Sequence, residues 1–437
     1  MSSSSVADRI EIVPVRRPVT GTAFVPGSKS ITNRALPIAG LARGHSTLTG
    51  ALFSDDTRYM AGALNALGLR VTDAPEDARF EIDGGDGAFP ATEADLFIGN
   101  SGTTARFLTA ILAIGHGTYR LDGVPRMRQR PIGPLLAALR QLGVDASSEA
   151  GTGSPPIVVR ASGFAGGTTT VAGDLSSQFL TGLLLAAPYA QDGVTIAVEG
   201  ELVSKPYIVI TADVMRAFGV ETEIDETDWK TFRVAPGQRY QGRAYAIEPD
   251  ASNASYFFAA AAVTGGEVTV AGLGSRSTQG DLGFVRVLER MGATVTMTGT
   301  RTTVRGPEGG SLRGGDFDFN VISDTAQTLA AIAPFANGPI TIRGVAHNRV
   351  KETDRIADVA TELRRLGQEV DEFADGLTIR PRPVTPAEVH TYDDHRMAMS
   401  FALTGLRAPG VTILDPGCTA KTFPDYFQRL AELTGDA

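Results

Sequence analysis

The chain has 437 residues, 42% hydrophobic and 20% charged, more than one ordinary hydrophobic core can organise, so two or more domains are expected. A net charge of −9 without a basic block argues against a nucleic-acid partner. The single cysteine, Cys418, excludes an intrachain disulfide framework and cysteine-built zinc sites.

At the N-terminus, MSSSSVADRIEIVPV lacks the basic-then-apolar layout of a secretory signal. The next stretch, PGSKSITNRAL at 26–36, has a P-loop flavour but not the Gly-x4-Gly-Lys-Ser/Thr spacing that cradles a nucleotide. Beyond it a short strand-like phrase closed by glycines recurs, as GHSTLTG, GTYRLDG, GVTIAVEG, GEVTVAG, GPITIRG and GVTILDPG. These phrases begin at Gly44, Gly117, Gly193, Gly266, Gly338 and Gly410, a period of about 73 residues. In step with them, amphipathic patterns such as LNALGLRV and LRRLGQEV end at Gly68, Gly143, Gly219, Gly292 and Gly367. Glycine there suits the left-handed position that stops a helix.

Each unit reads as a polar turn opening an apolar helix, a strand, a loop, an amphipathic helix and a hairpin. The apolar helices are hydrophobic nearly all round and should be buried, the others on one face only. The longest apolar runs, such as LLLAAPYA, are too short to span a bilayer. A cytoplasmic enzyme is expected, with no membrane partner.

The openings of the buried helices carry the chemistry: GSKSITNR, GNSGTTAR, GDLSSQF, PDASNASYF, ISDTAQT and DDHRMAM. Ser, Thr, Asp and Asn are ordinary N-caps. Six polar openings at one phase of a repeat, several with Lys or Arg, also suit phosphate and carboxylate binding at helix N-termini. Lys29, Arg34, Arg106, Arg126, Arg128, Arg130, Lys351, Arg355, Arg396 and Lys421 cluster at these repeat junctions. Their convergence would hold small polyanions. Asp324, Glu352 and Lys29 are acid/base candidates, and structural ion pairing is the competing reading of the two carboxylates. Five histidines offer no HExxH pair, so no metal site is expected. No nucleophile elbow or dinucleotide fingerprint is present.

PGSKSITNRAL, GNSGTTARF, PRMRQRPIG, GDLSSQFLTGLLLAAP, ELVSKPYI, DASNASYFFAAAA, NRVKETDRI, DDHRMAM and CTAKTFPDYF, in this order along almost the whole chain, resemble the EPSP synthase family, class I-like. The resemblance implies an α/β fold of two inside-out α/β barrels, six βαβαββ repeats in all, with helices inside. The first domain would join 1–26 to 248–437, the second would span 27–247, and the reaction would run in the cleft between them. It implies condensation of shikimate 3-phosphate with phosphoenolpyruvate to 5-enolpyruvylshikimate 3-phosphate and phosphate, on the way to chorismate and the aromatic amino acids. No metal or organic cofactor is implied, and a monomer is expected.

Carried over by position, Ser30, Arg34, Ser176, Ser177, Ser204, Tyr207, Asn348 and Lys351 would bind shikimate 3-phosphate. Asn100, Gly102, Arg130, Arg355, Arg396 and Lys421 would bind phosphoenolpyruvate. Gln178 would lie between the substrates, and Lys29 and Asp324 would touch both. Asp324 would take the proton of the attacking 5-hydroxyl, and Lys29 or Glu352 would protonate the vinyl carbon.

Ser101, Thr104, Ala105 and Phe107 depart from the usual class I pattern around Gly102, which leaves the response to the family's inhibitor glyphosate open. The sister enzyme acting on UDP-N-acetylglucosamine typically carries a cysteine in its first half, and here Cys418 lies in the last motif. A non-catalytic anion-binding repeat protein is the other alternative, one that has no need for Asp324 and Glu352 together.

Overall fold

The computed structural model describes residues 8–435; the first seven residues, part of the stretch examined for a secretory signal, and the last two of the expected 248–437 segment lie outside them. The chain divides into two compact units, one running to Pro26 and resuming at Glu248, the other spanning Gly27–Ile247.

In the Gly27–Ile247 unit the helices are α1 (Lys29–Leu41), α2 (Asp55–Ala66), α3 (Gly102–Ile111), α4 (Gly133–Gln141), α5 (Ser177–Ala186) and α6 (Pro206–Ala217). In the other they are α7 (Ala251–Thr264), α8 (Phe284–Arg290), α9 (Ala326–Ile332), α10 (Ala357–Arg365), α11 (His395–Gly405) and α12 (Tyr426–Thr434). The odd-numbered helices are the apolar ones of the repeat. Every residue of α3, α7, α9 and α11 is buried. The even-numbered helices bury one face, as the 3.6-residue period requires.

One repeat shows the pattern. Strands Glu93–Phe97 and His116–Asp122 pair in parallel across α3, and Ile157–Ser162 and Asp145–Ser148 add an antiparallel hairpin after α4. The order is therefore βαβαββ, and the central strand is the glycine-closed phrase of the repeat. Strands such as Val194–Glu199 and Glu267–Ala271 alternate buried and exposed positions. One sheet face covers the buried helices and the other meets solvent, which is the inside-out arrangement. Gly68, Gly143, Gly219, Gly292 and Gly367 all have φ between +81° and +110° after an outer helix, where a Cβ would be strained.

Among the described residues, five sheets have four strands and one has three. The exception is the sixth repeat: Ala387–Val389 and Val411–Leu414 are completed by Arg9–Ile12 from the start of the chain. Thr20–Ala23 likewise supplies the first strand of the repeat containing α7, pairing with Glu267–Ala271. The N-terminal strands thus belong to the unit that resumes at Glu248, and the connection at 26–27 leads into α1.

Candidate active site

In the Gly27–Ile247 unit the site residues start at helix N-termini. Ser28 caps α1 by accepting from the Ile31 N–H. Lys29, the first residue of α1, brings Nζ to 3.9 Å from Oδ2 of buried Asp56. One turn after Ser30, Arg34 is buried, and every hydrogen bond it donates ends on a neutral oxygen. Nη1 donates to the Ser30 carbonyl (2.7 Å), Nε to the Thr211 hydroxyl (2.8 Å) and Nη2 to the Tyr207 carbonyl (3.1 Å). The rings of Phe107 and Tyr207 lie 5.2 and 6.0 Å from its guanidinium carbon. Burial pulls its pKa down to about 10, because a dry cation lacks the solvation of water. Among the described residues no carboxylate lies within ion-pair distance of it. Such a group awaits an anion.

Tyr207 lies in the first turn of α6 and donates its N–H to the Ser204 carbonyl (3.1 Å). Ser204 is buried with φ at +56°, a left-handed conformation uncommon for serine. On α5, Ser176 caps the Gln178 N–H (3.2 Å), and Ser177 is buried as the first helical residue. The Gln178 amide reaches the Thr103 hydroxyl of α3 at 3.5 Å.

Gly102 opens α3, and two buried arginines converge on it. Arg130 Nη1 donates to the Asn100 carbonyl (2.9 Å) and side-chain oxygen (3.3 Å). Arg106 donates to the Gly102 carbonyl (3.1 Å) and the Pro131 carbonyl (2.7 Å). A Cβ at Gly102 would lie 2.5 Å from Arg130 Nη2 and 2.6 Å from Arg106 Nη1. Glycine here is a packing requirement set by two guanidinium groups.

The other unit assembles Asp324, Glu352, Arg355, Arg396 and Lys421 into one ion network. Asp324 is in a single 3-10 turn, Ser323–Thr325, that precedes α9. Its carboxylate reaches Arg396 Nη2 (2.6 Å) and Arg355 Nη1 (3.4 Å). Glu352 meets Arg355 Nη2 (2.8 Å) and Lys421 Nζ (3.2 Å). Arg355 also binds Asp394 through Nε (2.6 Å) and Nη2 (3.2 Å). Burial opposes the Arg355 charge, but Asp394, Glu352 and Asp324 outweigh it and hold its pKa above the ordinary range. Asn348 donates to the Ser323 carbonyl (3.1 Å), tying its turn to that of Asp324. Lys351 follows the same turn and adds its field to that of Arg355 around buried His347, whose pKa is pulled down to about 3, chiefly by burial.

Within one unit Gly102, Asn100, Arg106 and Arg130 are brought together, and within the other Asp324, Glu352, Arg355, Arg396 and Lys421. The reading of single residues missed Asp394, which both caps α11 through the Arg396 N–H (2.9 Å) and grips Arg355. Its signal is the second aspartate of DDHR. Asp56, beside Lys29, is signalled only by SDD at the start of α2. Cys418 is three residues from Lys421, and burial pushes its thiol pKa up, so it supplies no ready thiolate.

A family model described as EPSP synthase (3-phosphoshikimate 1-carboxyvinyltransferase) matches residues 13–430. The chain belongs to the EPSP synthase family. It is 53% identical to the 3-phosphoshikimate 1-carboxyvinyltransferase of Trichormus variabilis over 98% of this chain and all of that one. With the enzyme of the same name from Nostoc punctiforme it shares 54% identity over 98% of this chain and 99% of the relative. A solved EPSP synthase from Acinetobacter baumannii superimposes with a TM-score of 0.80 at 25% identity, covering 97% of this chain and 98% of that one. The EPSP synthase architecture thus persists where three-quarters of the residues differ.

Proposed function

We propose that this chain transfers the enolpyruvyl group of phosphoenolpyruvate to the 5-hydroxyl of shikimate 3-phosphate, releasing inorganic phosphate, and that both residue sets serve this one reaction. What supports the reading most is the pairing of Asp324 with Arg355 and Arg396, in a chain of this family. A carboxylate held beside two guanidinium groups is the pairing that a base working next to bound anions calls for.

The two substrates bring on the order of six negative charges, since each has a phosphate and a carboxylate. Lys29, Arg34, Arg106, Arg130, Lys351, Arg355, Arg396 and Lys421 offset them. Ser30, Arg34, Ser176, Ser177, Ser204, Tyr207, Asn348 and Lys351 hold shikimate 3-phosphate. Asn100, Gly102, Arg130, Arg355, Arg396 and Lys421 hold phosphoenolpyruvate, and Gln178 touches both.

Protonation of the vinyl methylene creates cationic character at C2 of phosphoenolpyruvate, which a nearby carboxylate stabilises. Asp324 takes the 5-hydroxyl proton as that oxygen attacks C2. Loss of phosphate from C2 and of a proton from the new methyl group then regenerates the vinyl ether. Lys29 and Glu352 are the two candidates for the proton donor. A monomer working in the cytoplasm completes the reading.

The test is phosphate release from phosphoenolpyruvate in the presence of shikimate 3-phosphate, with UDP-N-acetylglucosamine as the alternative acceptor. Release with the first acceptor and none with the second is expected. The reverse pattern would move the chain to the sister reaction, and release with neither would leave a non-catalytic anion binder.

A further inference from the structure

The turn that delivers Asp394 and Arg396 is built against its residue types. Residues Thr391–Asp394 form a β-turn closed by the Asp394 N–H on the Thr391 carbonyl (2.9 Å). Both central residues, Tyr392 and Asp393, have positive φ, +55° and +54°. That is the signature of a type I′ turn, which favours Gly and Asn. Tyrosine at the first central position is out of place there and needs an external hold.

The hold comes from Glu362. Its carboxylate is fully buried on α10, yet it belongs to none of the substrate-facing sets. Oε1 accepts from the Tyr392 hydroxyl (2.7 Å), and Oε2 accepts from the His390 N–H (3.1 Å) and from Arg365 Nε (3.1 Å). Arg355 lies seven residues earlier, in the turn that leads into α10, and grips Asp394 at the far end of the β-turn. The stretch from Arg355 to Glu362 thus fastens residues 390–394 at both ends. Asp394 in turn caps α11 through the N–H of Arg396, whose guanidinium binds Asp324.

We propose that Glu362 is a positioning residue for the phosphoenolpyruvate half of the site: by holding Tyr392 left-handed it sets the Asp394 carboxylate on Arg355 and the Arg396 guanidinium on Asp324. The inference rests on the reaction proposed above. Loss of the hold lets the turn relax and shifts two anion-binding guanidinium groups together, while the shikimate 3-phosphate contacts on α1, α5 and α6 stay as they are.

The test compares steady-state kinetics of Glu362→Gln, Tyr392→Phe and Tyr392→Gly, with Leu288→Ala as a control. Leu288 is a buried residue of α8, so its truncation loosens the same unit without touching the turn. Glu362→Gln and Tyr392→Phe are expected to raise the KM for phosphoenolpyruvate about tenfold, with the KM for shikimate 3-phosphate within about twofold. Tyr392→Gly, which takes positive φ without strain, should stay near wild type, and in that background Glu362→Gln should lose most of its effect. Leu288→Ala should lower Tm and leave both KM values in place.

Tyr392 is partly exposed, so Tyr392→Phe keeps the test available even where Glu362→Gln fails to fold. Unchanged phosphoenolpyruvate KM in Tyr392→Phe, or an equal rise in both KM values, would overturn the inference. A wild-type chain that releases no phosphate would instead remove the proposed reaction itself.

Discussion

The two units hold their cations in opposite ways. In the Gly27–Ile247 unit, Arg34 and Arg130 donate to carbonyl, hydroxyl and amide oxygens, and no carboxylate among the described residues pairs with either. In the other unit Arg355, Arg396 and Lys421 are already matched to Asp324, Glu352 and Asp394. Arg34 and Arg130 keep charge that no carboxylate among the described residues matches, although Lys29 of the same unit has Asp56 beside it. Arg355, Arg396 and Lys421 stand among three carboxylates. In the reaction proposed above, the first pair would serve capture and the second group would add acid/base chemistry.

The sharpest way to break this contrast is to remove one arginine from each unit. Arg355→Met strands Asp394, which is completely buried, and strips a partner from Glu352 and Asp324. It is expected to cost about 3–5 kcal/mol of stability, the usual result of removing one partner from a buried ionic network. Arg34→Met removes a dry charge bonded only to neutral groups, so stability should change by about 1 kcal/mol or less, while the KM for shikimate 3-phosphate rises steeply. Urea unfolding of both variants, read beside their kinetics, checks the pair. Equal destabilisation by the two substitutions would remove the distinction between the units.

Gly102→Ala tests the capture side next. The added methyl meets Arg130 and Arg106, both pinned to carbonyls and buried. Overpacking of this kind costs about 1–3 kcal/mol, here spent on moving Arg106 and Arg130, the second of which is proposed to bind phosphoenolpyruvate. The expected outcome is a phosphoenolpyruvate KM raised about tenfold or more and weaker glyphosate inhibition, with shikimate 3-phosphate KM unchanged. Unaltered phosphoenolpyruvate KM and unaltered inhibition would show that the arginines move aside freely.

Much of this architecture is written in local signals. The period of about 73 residues follows from glycine phrases that became central strands, and helix-stopping glycines have the positive φ their positions demand. The capping reading of the helix openings holds: Ser28, Ser101, Ser176, Asp250 and Asp394 do cap their helices. What local pattern cannot carry is pairing across distance. Asp394 and Arg355 are 39 residues apart, and Asp324 and Arg396 are 72 apart. Nothing in DDHR says which arginine its second aspartate grips. The three-stranded sheet was hidden for a similar reason, because its last strand, Arg9–Ile12, comes from the other end of the chain. Asp324 belongs to a helix opening in the sequence, and the structure puts it in the 3-10 turn before α9, where its carboxylate meets Arg355 and Arg396.

A smaller effect is expected at Phe107, one of the departures from the class I pattern. Its ring faces Arg34 at 5.2 Å and sits on the same helix as Gly102. A cation–π contact of this kind is worth roughly 0.5–2 kcal/mol. Phe107→Leu should therefore raise the KM for shikimate 3-phosphate about threefold, within the lower part of that range, and spare the KM for phosphoenolpyruvate. The opposite split would assign Phe107 to the Gly102 cluster and separate it from Arg34.

An effect seen only at acid pH concerns charge balance in the carboxylate-rich unit. His347 is buried beside Lys351 and Arg355, and its folded pKa is near 3, whereas an imidazole in the unfolded chain titrates near about 6.5. Between these values the unfolded chain binds a proton that the folded chain refuses, so stability falls as pH drops through the window. His347→Gln removes that share of the acid sensitivity. The Tm difference between wild type and variant should be flat above about pH 7 and shift in favour of the variant as pH falls towards 4. Parallel Tm profiles for the two proteins would mean that the imidazole accepts its proton in place, unopposed by burial and by the charges of Lys351 and Arg355.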